Sequence, residues 1–118
     1  VELAFFRFLA KGAAMVFNSD AEVCDYLRQP FEGDDLAVAY AAAGGEPDVM
    51  ALGLPIVDQI KNRVASIKDY VQLNTVLFAA KLAFDFAIGR LPIAVPEAIK
   101  EQLWALCEQG IRAIYMGS

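Results

Sequence analysis

Lys81 and Asp85 stand one helical turn apart in a stretch that is otherwise almost wholly apolar. Buried, each charge costs several kcal/mol unless it is paired, so the two must either partner each other or face water. Tyr70 and Asn74 continue the same line and carry hydrogen-bonding groups. Tyr70, Asn74, Phe78, Lys81 and Asp85 are therefore the residues expected to line a ligand pocket, if one exists. A solvent-facing helix edge is the plainer reading.

Other chemistry is sparse. The chain has no histidine, which removes Ser-His-Asp and Cys-His nucleophiles and the usual transition-metal sites. Serine occurs only at 19, 66 and 118, and threonine only at 75. Glu97 and Glu101 lie four apart and could reach one ligand, but acidic side chains also suit the positive end of a helix. Glu32, Asp34 and Asp35 lack the spacing of a calcium loop and read as a turn followed by a helix cap. Gly44-Gly45 carries no phosphate-loop signature and reads as a helix stop. No catalytic residue, metal or cofactor is expected.

A second kind of feature is a stripe rather than a reactive group. At 100° per residue, Trp104 falls among Glu97, Glu101 and Glu108, with Tyr115 three turns on and Ile111 beside it. Aromatic side chains ringed by charge are common anchors of protein interfaces. Trp104, Glu108, Ile111 and Tyr115 are accordingly the expected partner-binding residues, unless another part of the chain folds over them.

The elements that would position these residues are helical. Of the 118 residues, 58% are hydrophobic and 21% charged. Apolar content this high excludes disorder and leaves more apolar surface than a small monomer easily hides. Fifteen acidic and ten basic residues give a net charge of −5, which opposes binding to nucleic acid or anionic lipid. Lys61, Arg63 and Lys68, flanked by Asp58 and Asp69, read as a solvated face. The opening run 3–17 carries Arg7 and Lys11, against a secretory signal, and no stretch of about 20 residues lacks charge, against a membrane span. The chain begins at Val1 and ends at Gly117-Ser118, as a processed or excised piece would. Cys24 and Cys107 are expected to be free thiols in a cytoplasmic protein.

Periodicity predicts an all-α fold, a single compact bundle of five to six helices forming one domain over 1–118. The first helix covers 1–17, with Phe5 and Phe8 in its wide apolar arc. A capping box at Ser19 and Glu22 opens the next, which Pro30 stops. An Ala-rich helix follows from Asp34 or Asp35 to Gly44. Residues 56–88 contain neither Gly nor Pro. As one helix they would span roughly 50 Å, longer than the roughly 35 Å of a compact domain this size. A break at Ser66 is therefore expected, giving helices 56–65 and 67–88. A last helix, 96–115, should bury Ile99, Leu103, Leu106 and Ile114.

These readings favour a non-enzymatic helical protein-interaction module, a homodimer or an acidic adaptor. The alternative is a binder of a small apolar ligand, held among Phe5, Phe8, Phe78, Phe84 and Phe86. An enzyme built on Asp, Glu, Lys or Tyr, and a membrane-surface helix at 1–17, are weaker readings.

Overall fold

The computed structural model describes residues 17–33 and 48–117. The helices expected over 1–17 and 34–45 lie essentially outside these residues, as do Phe5 and Phe8. Among the described residues the fold is all-helical and has no strand. It contains four α-helices, fewer than the five to six expected: α1 (Asp20–Arg28), α2 (Val49–Ile67), α3 (Leu73–Gly89) and α4 (Glu97–Met116). A short 3₁₀ turn, Gln29–Phe31, follows α1. No helix among the described residues is long and apolar enough to cross a membrane.

α1 begins where the capping motif places it. Ser19 is extended, and its Oγ accepts a hydrogen bond from the Glu22 N–H at 3.3 Å. Glu22 returns the contact one residue earlier than a capping box does, accepting from the Asn18 N–H at 3.0 Å. Pro30 sits in the 3₁₀ turn and carries the chain into buried Phe31.

α2 corrects two expectations. It starts at Val49, capped by the Asp48 carboxylate on the Met50 N–H at 3.2 Å, and runs through Pro55 instead of beginning after it. Proline has no N–H to give the Ala51 carbonyl. Ala51 and Pro55 are both exposed, so water can satisfy that carbonyl. Nor does the helix break at Ser66. The Ser66 hydroxyl donates back to the Arg63 carbonyl at 2.7 Å, a bond compatible with a helix interior. α2 ends at Ile67, and α3 opens at Gln72-Leu73 with no side-chain cap.

The contacts fix the helix directions. Gly53 lies against Leu103 and Gly110 against Lys61, so α2 and α4 run the same way. Tyr26 meets Ser66 and Gln29 meets Arg63, so α1 runs against α2. The core draws on every helix: Leu27, Ile56, Ile60, Val64, Val76, Phe84, Leu103 and Ile111 are all at 1% exposure or less. Where α3 enters this core it does so largely through small residues, with Ala79, Ala80, Ala83 and Ala87 fully buried. Gly53 serves the same purpose on α2, because a Cβ there would run into the Leu103 side chain.

α4 is turned relative to the sequence expectation. Leu103, Cys107 and Ile111 form its buried line, while Ile99 and Ile114 flank the core and Leu106 is 44% exposed. Two apolar stripes run along this helix, and the core lies between them. The rotation brings Trp104 and Tyr115 inward.

α1 and α2 are joined by a polar lock. Arg63 Nη1 donates to the Tyr26 carbonyl and to Gln29 Oε1, each at 2.9 Å, and its guanidinium lies 4.6 Å from the Tyr26 ring centre. Tyr26 Oη is 2.7 Å from Ser66 Oγ. Because the Ser66 proton goes to Arg63, the Tyr26 hydroxyl is the donor in that pair. The residues expected to form a solvated basic face thus divide: Arg63 ties two helices, while Lys61 and Lys68 pair with Asp58 and Asp69.

Candidate interaction surface

The seam between α3 and α4 gathers residues that the sequence places in two separate groups. Lys81 Nζ is 3.1 Å from Asp85 Oδ1, the pairing expected for one helical turn. The same carboxylate oxygen is 3.5 Å from Lys100 Nζ on α4. Lys81 Nζ also lies 5.4 Å from the centre of the Trp104 ring and 5.7 Å from that of Phe84. Trp104 and Phe84 stack tilted at 5.5 Å. One carboxylate between two ammonium groups, with the Lys81 ammonium above two aromatic faces, makes a clasp across the seam that carries a net charge of +1. Sequence reasoning missed Lys100, although it stands one turn before Trp104 on the same helix.

The aromatic stripe of α4 is occupied within the chain. Ile111 is fully buried in the core, so this expected interface residue has no surface to offer a partner. Trp104 is half-buried against Phe84. The Tyr115 hydroxyl donates to the Val71 carbonyl at 2.6 Å, tying the end of α4 to the turn before α3. Burial, with the negative charge of Asp69, raises the Tyr115 pKa above its ordinary value. Glu108 is held by Arg112 at 3.0 Å. The alternative weighed from the sequence, in which the chain folds over its own stripe, describes these contacts.

The five expected pocket residues form a surface line rather than a cavity wall. Phe78 is 59% exposed and Tyr70 47%. Asn74 is exposed, while Lys81 and Asp85 are half-exposed in the clasp. Two open depressions flank the turn between α2 and α3. One, about 230 Å³, lies beside Phe17, Asp20 and Thr75, and the other, about 410 Å³, beside Lys68, Gln72 and Tyr115. Of the five residues only Tyr70 borders them. Phe84 is core, and Phe86 lies between the guanidinium groups of Arg28 at 5.1 Å and Arg90 at 5.6 Å.

Two large apolar side chains also face outward on α3. Leu82, 45% exposed, stands one turn beyond Phe78. Placed at 100° per residue, Asn74, Thr75, Phe78, Leu82 and Asp85 fall within an arc of roughly 100°. The signal for Leu82 was available in the sequence, since it lies four residues after Phe78 and three before Asp85.

Reactive groups are few. Both cysteines are free thiols. Burial pushes the Cys107 thiol up to about 12, which keeps it protonated and unreactive at neutral pH. No group of three acidic, cysteine or histidine side chains that could hold a metal ion occurs among the described residues. Compared with family models, curated proteins and solved structures, the chain matches none of them.

Proposed function

We propose that this chain is a non-enzymatic helical interaction module that docks a protein partner through the outer face of α3. One observation carries the reading: Phe78 and Leu82, two large apolar side chains one turn apart, stand 59% and 45% exposed on the same helix face. Exposed aromatic and aliphatic anchors flanked by polar groups are the usual centre of a docking surface. The clasp of Lys81, Asp85 and Lys100 supports the reading by linking α3 to α4 beside this face. The absence of histidine from the sequence adds to it. The place of the interface thereby moves from the α4 stripe to α3. The apolar-ligand alternative draws less support from the described residues, where Phe84 is packed in the core and Phe78 is exposed, while Phe5 and Phe8 lie outside them.

A photo-crosslinking phenylalanine analogue at position 78, in the cells that make the protein, tests this. Light-dependent adducts to a protein chain are expected at 78 and not at exposed Glu101. A folded protein that gives no adduct at 78 overturns the reading.

A further inference from the structure

We draw no further inference here: the strongest candidate, the outward face of α3 that carries Phe78 and Leu82, belongs to the surface already described, and nothing in the structure shows what covers it.

Discussion

Phe78 and Phe84 stand six residues apart on α3 with opposite surroundings. Phe84 is fully buried, stacked on Trp104, and Phe78 is 59% exposed. The side of α3 that enters the core is mostly alanine, while its outer side carries Phe and Leu. Apolar content alone therefore does not say which side a helix buries. Small residues let α3 approach its neighbours closely, and the density gained there replaces the bulk that larger side chains would supply. The large residues left outside do little for the fold and are the ones the proposed docking role would use.

Four changes break or sharpen this contrast. Phe84→Ala should have the largest effect, a loss of about 3–5 kcal/mol in denaturant unfolding, because it empties a fully buried site. A loss below about 1 kcal/mol would mean that the inner side is not close-packed. Gly53→Ala should cost about 1–3 kcal/mol in the same measurement, since the new Cβ meets the Leu103 side chain with little room to yield. Third, stability should be level through neutral pH and fall above pH 9. Cys107 is raised from 9.0 to about 12, so the unfolded chain ionises first and draws the equilibrium towards itself until the folded thiol also titrates. At its steepest this is roughly 1 kcal/mol per pH unit. Tyr115, raised by burial, acts in the same direction. Cys107→Ala should flatten the slope between pH 9 and about 12 in pH-stepped denaturation. Smallest is Phe78→Ala, expected to change unfolding stability by no more than about 0.5 kcal/mol. A large loss there would place Phe78 in the fold after all.

Much of the local structure was legible in the sequence, for reasons that are themselves local. Ser19 caps α1 because a hydroxyl three residues before Glu22 meets an orphan N–H wherever the helix packs. Lys81 and Asp85 pair because helical spacing brings them together. What was not legible depends on neighbours. Ser66 has the composition of a helix start, but Tyr26 and the Arg63 carbonyl occupy its hydroxyl inside α2. The buried line of α4 could not be chosen from periodicity, because Leu106 and Ile111 head equally apolar stripes. The close approach of α2 at Gly53, together with Phe84 beneath Trp104, turns the line of Leu103, Cys107 and Ile111 between them to the core. The α3 clasp was half visible: its own two charges follow from spacing, but Lys100 arrives from another helix, and no sequence distance encodes that.

The two thiols give this protein a built-in clock. Cys24 is half-buried near the surface of α1, and Cys107 is sealed between α2 and α4. An alkylating reagent should label Cys24 first, slowed by the burial and the acidic neighbours Asp25 and Asp20 that raise its pKa, and Cys107 only when those helices part. The lag between the two labels would measure, in minutes or hours, how often the interior opens, and binding on the outer face of α3 that steadies the bundle should lengthen it.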